Sequence, residues 1–275
     1  MVLAVDLGGT NIRAARIDNS LVVVQKYTTL QDKDVLEKTL VQIIALIESV
    51  LDATVKGIGI GVPSVVDVET GTVYDVTNIP SWKKVELKEI LEARFGLPVR
   101  VNNDVNCFIL GEHRHGVAKG FKSVVGLTMG TGLGGGIIIN NELYAGINCG
   151  AGEFGLVPYL DENIEAYCSG GFFNKHYSKT ALDAFNQAAA GDQAALDSWK
   201  EFGFHLGNAI KTVVYTYDPE AIVLGGSLVK ACHFFVDSMT RSRLDFAFPE
   251  SMKKLKIFIS QDSNIALLGA ASLLS

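Results

Sequence analysis

Short apolar stretches alternate with amphipathic segments along the chain. Residues 2–5, 12–17 and 21–25 are mainly apolar segments of strand length, and residues 36–50 place leucine, isoleucine or valine every three or four positions. The first pattern predicts strands, and the second predicts an amphipathic helix that packs against them. Because the two patterns keep following one another to the C-terminus, the sequence predicts an α/β protein with mixed sheets.

The same two patterns predict the remaining elements. Strands are expected at residues 55–62, 99–101, 124–128, 137–139, 221–224 and 257–260. Helices are expected at residues 87–95, 104–116 and 265–274, and a long helix that begins near residue 196 should end near Asp218-Pro219. Asn103 or Asp104 stands where the helix at 104–116 needs an N-terminal cap.

A strand, a glycine turn and a second strand occur twice. Without gaps, Gly8 aligns with Gly130, and Ile17 aligns with Ile139 at the same offset. The repeat predicts an internal duplication into two lobes, each of which presents one glycine turn. We expect an N-terminal lobe at residues 1–118, to which a closing helix at 264–275 could return, and a C-terminal lobe at residues 119–263.

Composition and charge narrow the class of protein. The chain has 275 residues, and 48% of them are hydrophobic, which is enough to bury large cores. Its net charge is −6. The acidic balance argues against nucleic-acid binding. No signal-peptide pattern is present, and glycines interrupt the longest charge-free apolar stretch, so no membrane segment is expected. Four cysteines without paired spacing favour free thiols in the cytoplasm.

Three glycine turns are the first candidates for chemistry. Asp6 precedes the turn Gly8-Gly9-Thr10-Asn11, Gly130-Thr131-Gly132 repeats it, and Gly225-Gly226 adds a third. Backbone N–H groups in such turns can approach phosphate oxygens because no Cβ stands in the way. Thr10 and Asn11 add donors, and Asp6 could hold magnesium through water. The turns suggest a nucleotide site without a P-loop motif.

Two acidic positions offer catalytic chemistry. Asp104 follows a buried strand at a helix start, where an isolated aspartate is more often only a cap; a base for a hydroxyl proton is the functional alternative. Glu153 lies in a glycine-rich stretch, where an ordinary solvated turn is the alternative. For the pair His113 and His115 we expect solvated side chains rather than a metal site.

Five ordered motifs, spread over nearly the whole chain, resemble the ROK family of bacterial sugar kinases and sugar-responsive repressors. They are residues 6–10 (DLGGT), 59–63 (GIGVP), 103–106 (NDVN), 130–136 (GTGLGGG) and 152–155 (GEFG). Residues 78–82 (NIPSW) resemble the family's sugar-side loop. The resemblance implies the actin-like ATPase (ribonuclease H-like) fold, an α/β fold of two lobes with duplicated β-hairpin units. It also suggests a homodimer.

The resemblance implies roles for individual residues. Asp104 is similar to the family's catalytic base, Asn103 to its sugar-binding neighbour, and Glu153 and Glu165 to ligands of the sugar. The residues implied at the ATP phosphates are Gly8, Gly9, Thr10, Gly130, Thr131 and Gly132, with Gly225 and Gly226 near the nucleoside. Asn78 belongs to the sugar-side loop. Ser64 stands where many members have glycine, which could alter the sugar side.

The chain departs from the family at one histidine and at the zinc loop. Many members have a histidine where this chain has Leu156, followed by a cysteine-rich zinc loop. Residues 157–164 form a short stretch without cysteine, and Cys168 alone cannot supply about four ligands. We therefore expect no zinc. The missing histidine leaves the identity of the sugar open.

The expected function is ATP-dependent phosphorylation of a hexose, with glucose and its 6-hydroxyl as first candidates and with ATP and Mg²⁺ required. N-acetylmannosamine, N-acetylglucosamine and fructose are alternative substrates. A non-catalytic sugar sensor is the alternative from another class, and a scaffold that binds sugar weakly after losing the histidine is a third. The family's repressors carry an N-terminal DNA-binding module, which we do not expect here because the first strand begins at residue 2.

Overall fold

The computed structural model describes residues 1–8 and 11–275 and divides into two compact units. Unit 1 comprises residues 1–120, 141–151 and 262–275, and unit 2 comprises residues 121–140 and 152–261. The lobe limits expected at residues 118 and 263 stay predictions. None of the helices in the described ranges is both long and apolar enough to cross a membrane.

Strands and helices alternate along the described chain. The strands are β1 (Val2–Leu7), β2 (Asn11–Asp18), β3 (Leu21–Thr29), β4 (Ile58–Val62), β5 (Val65–Asp67), β6 (Thr72–Tyr74), β7 (Lys84–Val85), β8 (Val99–Asn103), β9 (Val124–Met129), β10 (Leu133–Ile139), β11 (Glu142–Leu143), β12 (Pro158–Tyr159), β13 (Glu162–Asn163), β14 (Ala221–Gly225) and β15 (Lys256–Ile259). The helices are α1 (Leu36–Glu48), α2 (Leu87–Phe95), α3 (Asp104–Arg114), α4 (Ile164–Cys168), α5 (Gly171–Tyr177), α6 (Ala181–Ala189), α7 (Gln193–Tyr217), α8 (Cys232–Arg241), α9 (Pro249–Lys254) and α10 (Ile265–Ala271).

The two units repeat one sheet topology. In unit 1 the order is β3-β2-β1-β4-β8, in which β1 is antiparallel to β2 and parallel to β4, and β4 is parallel to β8. In unit 2 the strands β10, β9, β14 and β15 lie in the same order, with β9 antiparallel to β10 and parallel to β14. The predicted duplication of a β-hairpin unit is confirmed.

The predicted gapless alignment of the two hairpins holds only as far as the turn. Val2 pairs with Ile17 in the first hairpin, whereas Val124 pairs with Ile138 in the second. The second turn is therefore one residue shorter. The predicted match of Ile17 to Ile139 is wrong by one position. Because the second turn has one residue fewer, each paired residue of β2 matches a residue of β10 one position earlier than predicted.

Most predicted helices are found close to their expected ends. The long helix α7 begins at Gln193, where Asp192 accepts a hydrogen bond from the Ala195 N–H at 2.8 Å, and ends before Asp218 as predicted. Solvated side chains were predicted for His113 and His115 at the end of α3, and for His115 this is wrong. Its ring is half-buried and lies 3.0 Å from Ser20 Oγ and 2.9 Å from Ser272 Oγ.

In unit 1, helix α10 packs so closely against α3 that the main chains of the two helices are in contact. A Cβ built on Gly269 would stand 1.7 Å from the carbonyl oxygen of Cys107, and one on Gly111 would stand 2.0 Å from that of Ile265. Only glycine leaves room for such an approach. The C-terminal helix is thus held against the helix that begins with Asp104.

Candidate active site

Asp104 is the first residue of α3 and directly follows β8. Asn103 is the N-terminal cap, since its Oδ1 accepts hydrogen bonds from the N–H groups of Val105 at 2.8 Å and Asn106 at 3.3 Å. The Val105 N–H also lies 2.9 Å from Asp104 Oδ1. Because Asn103 caps the helix, the start of α3 has its cap without an aspartate at 104.

Ser64 and Asn78 lie on loops of unit 1. Asn103 Nδ2 donates to the Ser64 carbonyl at 3.2 Å, while the Ser64 hydroxyl donates to the Tyr74 carbonyl at 2.5 Å. The serine hydroxyl is thus hydrogen-bonded to the main chain at the end of β6. Asn78 is exposed, but Ile79 and Trp82 of the same loop are fully buried. The apolar residues anchor the loop and leave the Asn78 amide at the surface.

The first hairpin places an ion pair next to its turn. Arg13 donates to Asp6 Oδ2 from Nε at 3.0 Å and from Nη2 at 2.6 Å, in a half-buried pair. The Gly8 N–H donates to the Asn11 carbonyl at 2.9 Å, which closes the turn. Gly9 and Thr10, both expected at the phosphates, lie outside the described residues.

Sequence reasoning missed Arg13 as a partner of Asp6. The two residues stand opposite each other across the β1–β2 hairpin. A charge pair facing across an antiparallel hairpin is a signal that the sequence contains, but it becomes visible only once the length of the turn fixes the register.

Glu165 supports the turn of the second hairpin through a hydrogen bond. Its Oε2 accepts a hydrogen bond from the Leu133 N–H at 2.8 Å and lies 2.5 Å from where a Cβ on Gly132 would stand. The Gly130 N–H donates to the Gly132 carbonyl at 2.9 Å. Glycine at 132 therefore makes room for the carboxylate, and Glu165 holds the turn, a role that the sequence did not indicate.

The other predicted nucleotide positions of unit 2 lie near this turn. Thr131 is exposed at its tip. Gly225 ends β14 opposite Thr128, and Gly226 follows with φ of 86°. A Cβ on Gly226 would stand 2.2 Å from the Met129 carbonyl oxygen, so this turn requires glycine for both conformation and space.

Replacing Glu165 tests its hold on the turn. We expect Glu165→Ala to lower the free energy of unfolding by about 1–3 kcal/mol, because the buried Leu133 N–H loses its acceptor. Glu165→Gln keeps an acceptor oxygen and is the matched control, with a smaller loss. Urea unfolding of both variants measures the difference, and equal losses would contradict the assignment.

Glu153 precedes a short 3₁₀ helix (Phe154–Leu156) of unit 2. Partial burial raises the pKa of its carboxyl, and the charge of Glu165 raises it further. Leu156, at the position of the family histidine, is 62% exposed. Two carboxylates whose charges repel one another, with an apolar side chain nearby in sequence, suit a site that binds neutral hydroxyl groups better than one that binds an anion.

The raised pKa of Glu153 gives a pH dependence with a definite sign. The folded state binds this proton more tightly than the unfolded state, so the ionised carboxyl costs stability above the folded pKa. We expect Glu153→Gln to be more stable than the wild type at pH 7. The advantage should shrink as the pH falls through the raised pKa toward the ordinary value of 4.5. Urea unfolding across that range checks this, and a constant difference would contradict it.

The chain is similar to several proteins of known class. The family model described as "ROK family" matches residues 2–275. A glucokinase from Halalkalibacterium halodurans is 32% identical, with 83% of this chain and 81% of that protein covered. An N-acetyl-D-glucosamine kinase from Aliivibrio salmonicida is 30% identical, with 83% and 84% covered. A xylose repressor from Bacillus subtilis is 29% identical, with 66% and 51% covered.

Solved structures agree with the sequence comparisons. The crystal structure of a ROK family glucokinase from Streptomyces griseus, in complex with glucose and AMPPNP, is 28% identical. It superimposes with a TM-score of 0.83 and covers 99% of this chain and 98% of that one. The predicted actin-like ATPase fold is confirmed. On the family model and these likenesses, the chain belongs to the ROK family.

Proposed function

We propose that this protein transfers the γ-phosphoryl group of ATP to a hexose, with glucose and its 6-hydroxyl as first candidates. The chain is a phosphotransferase of the sugar-kinase class. The observation that carries the finer proposal is the full-length likeness to a glucokinase that binds glucose and AMPPNP. The geometry of the β8–α3 junction supports it, because Asn103 supplies the side-chain cap of the helix that begins with Asp104.

The proposed base is Asp104. Its carboxylate would accept the proton of the sugar hydroxyl as that oxygen attacks the γ-phosphorus, a contribution of about 10²–10⁴-fold. The proposed sugar ligands are Asn78, Asn103, Asp104, Glu153, Glu165 and Ser64. Asn103 keeps its Oδ1 in the helix cap, so its contact to a sugar would have to come from the rest of its amide.

The glycine turns are proposed to hold the nucleotide. Their backbone N–H groups would donate to phosphate oxygens, and such fixed donors supply much of the stabilisation in phosphoryl transfer. The residues proposed for this are Gly8, Gly9, Thr10, Asn11, Gly130, Thr131 and Gly132, with Gly225 and Gly226 toward the nucleoside. Glu165 supports the second turn from within unit 2 and so fixes the direction of its donors.

Magnesium fits this chain through one carboxylate. Among the described residues, no group of three or more His, Cys, Asp or Glu side chains gathers to hold a metal. Mg²⁺ needs no such group, because it binds one or two carboxylates together with substrate phosphates and water. Asp6 would hold it, and Arg13 orients that carboxylate. When bound, the cation neutralises charge on the phosphates.

Other functions have specific support. The similarity to an N-acetyl-D-glucosamine kinase supports an N-acetylhexosamine as substrate, and fructose remains an alternative. The similarity to a xylose repressor supports a sugar sensor. A cytoplasmic location, a homodimer and the absence of nucleic-acid binding are proposed with the kinase.

A coupled assay of ADP release over a panel of sugars tests the function. The panel contains glucose, mannose, fructose, N-acetylglucosamine and N-acetylmannosamine, each with ATP and Mg²⁺. We expect turnover with a hexose, fastest with glucose. Fastest turnover with an N-acetylhexosamine would move the proposal to that class. Sugar binding by calorimetry without ADP release would favour the sensor.

A further inference from the structure

A buried polar cluster lies beneath the β8–α3 junction in unit 1. It consists of Asn102, Asn106 and Cys149, whose exposed fractions are 4%, 1% and 3%. Asn102 is the residue before the cap, and Asn106 lies in the first turn of α3. We call these three residues the junction cluster. Buried polar groups cost free energy unless they are hydrogen-bonded, so their arrangement calls for a structural or functional reason.

One oxygen collects three donors in this cluster. Asn102 Oδ1 accepts from the Asn103 N–H at 2.8 Å, from Asn106 Nδ2 at 2.9 Å and from the Cys149 thiol at 3.2 Å. The bonds to Asn103 and Asn106 reach the chain on either side of Asp104. The main chain at residue 104 is therefore fixed from before the helix and from within its first turn.

Cys149 brings a distant part of the sequence to this point. It belongs to the segment 141–151, which is grouped with unit 1. Its backbone has φ of 54°, a conformation that side-chain-bearing residues adopt only at a cost. Burial raises the pKa of the thiol. Hydrogen bonds from the N–H groups of Asn103 and Val66 and from the Asn106 amide lower this pKa, but the effect of burial is larger. The thiol thus stays protonated and acts as a donor.

The cluster also contains an unsatisfied group. Asn106 Oδ1 is buried and has no hydrogen-bond partner among the described residues. A leucine-like side chain at 106 would fill the space without this cost. Of the two ends of the Asn106 amide, Nδ2 thus has its partner in Asn102, while Oδ1 has none among the described residues.

We propose that Cys149 is a positioning residue for Asp104, acting through Asn102 and Asn106. The inference rests on the proposed function, since Asp104 is its base. Cys149 does not touch the reacting atoms. Its thiol holds Asn102 Oδ1 in the position from which this oxygen also accepts hydrogen bonds from Asn103 and Asn106, which flank residue 104. The carboxylate of Asp104 thereby keeps one orientation toward the hydroxyl that it deprotonates.

Two variants of Cys149 test the role. Cys149→Ala removes the donor, and we expect kcat to fall about tenfold while the sugar KM changes less than about threefold, because a small misplacement of a catalytic group slows chemistry more than binding. Cys149→Ser keeps an O–H that can donate to Asn102, and should recover most of the kcat. Cys107→Ala is the matched control, because Cys107 is a buried cysteine on α3 outside the junction cluster. Its kcat should stay within about twofold of the wild type.

Hydrogen exchange gives a readout that does not need activity. We expect the amides of Asn103, Val105 and Asn106 to exchange faster in Cys149→Ala than in Cys107→Ala, and Cys149→Ser to restore protection. Should Cys149→Ala not fold, Asn106→Ala breaks the cluster from the helix side and should show the same split between kcat and KM. Equal kcat in Cys149→Ala and Cys107→Ala, or no recovery in Cys149→Ser, would overturn the proposal.

The proposed function and the positioning role of Cys149 fail in different experiments. If the wild type turns over no sugar of the panel, the proposed function fails. The exchange data then still decide whether the cluster fixes the junction, and unchanged exchange in Cys149→Ala overturns that as well. If the wild type is active and Cys149→Ala matches it, the positioning role alone fails.

Discussion

Asp104→Asn should lose at least about 10²-fold in kcat while it still binds sugar. An amide has the shape and hydrogen-bonding reach of the carboxylate but cannot take the hydroxyl proton, and general-base help contributes about 10²–10⁴-fold. The fold should survive, because the cap of α3 comes from Asn103. ADP release measures kcat, and calorimetry with the sugar measures binding.

The neighbouring residue provides the control for this variant. Asn103→Ala removes the cap of α3 and should cost about 1 kcal/mol in the free energy of unfolding. Asp104→Asn should leave that free energy within about 0.5 kcal/mol of the wild type, because the amide oxygen can still accept the hydrogen bond from the Val105 N–H. Full turnover in Asp104→Asn would refute the assigned base, and a large loss of stability would mean that Asp104 is structural.

Gly269→Ala should destabilise the protein by about 3 kcal/mol or more. Alanine favours a helix by about 1 kcal/mol over glycine, but here its Cβ would stand 1.7 Å from the Cys107 carbonyl oxygen. No side-chain rotation relieves a clash with backbone, so α10 would have to move away from α3, and forced overpacking typically costs 1–3 kcal/mol or more. Urea unfolding measures the loss.

Gly150→Ala is the matched control. A Cβ on Gly150 meets no atom within 4 Å, so the substitution should change the free energy of unfolding by less than about 0.5 kcal/mol. Because α3 begins with Asp104, displacement of α10 should also reduce turnover in Gly269→Ala. A stable and fully active Gly269→Ala would show that the close approach of the two helices is not required.

The two hairpins show which features of the fold the pattern of residues predicts and which it does not. Apolar segments of strand length on either side of a glycine turn located both hairpins, because such segments bounded by turn residues are typical of buried strands. It did not reveal that the second turn is one residue shorter, since the pairing of Val124 with Ile138 is set by hydrogen bonds across the strands. Arg13 was missed as the partner of Asp6 for the same reason.

The candidate site shows the same division. Asp104 and Glu165 were predicted as site residues from motifs, which are local in sequence. The support of the second turn by Glu165 depends on a hydrogen bond to Leu133, and the junction cluster brings Cys149 to Asn102 across 47 positions of the sequence. Contacts between residues so far apart leave no periodic trace, and only the folded chain brings them together.

The sequence by itself determined the α/β class, the duplicated hairpin, the family and the aspartate at the start of α3, because each depends on local periodicity or on an ordered motif. The tertiary structure decided which residue caps that helix, what holds the second turn and where the segment 141–151 belongs. These features depend on packing and hydrogen bonds between segments that are distant in sequence. Such contacts stabilise the protein only after folding has brought the segments together at the entropic cost of closing the loop between them.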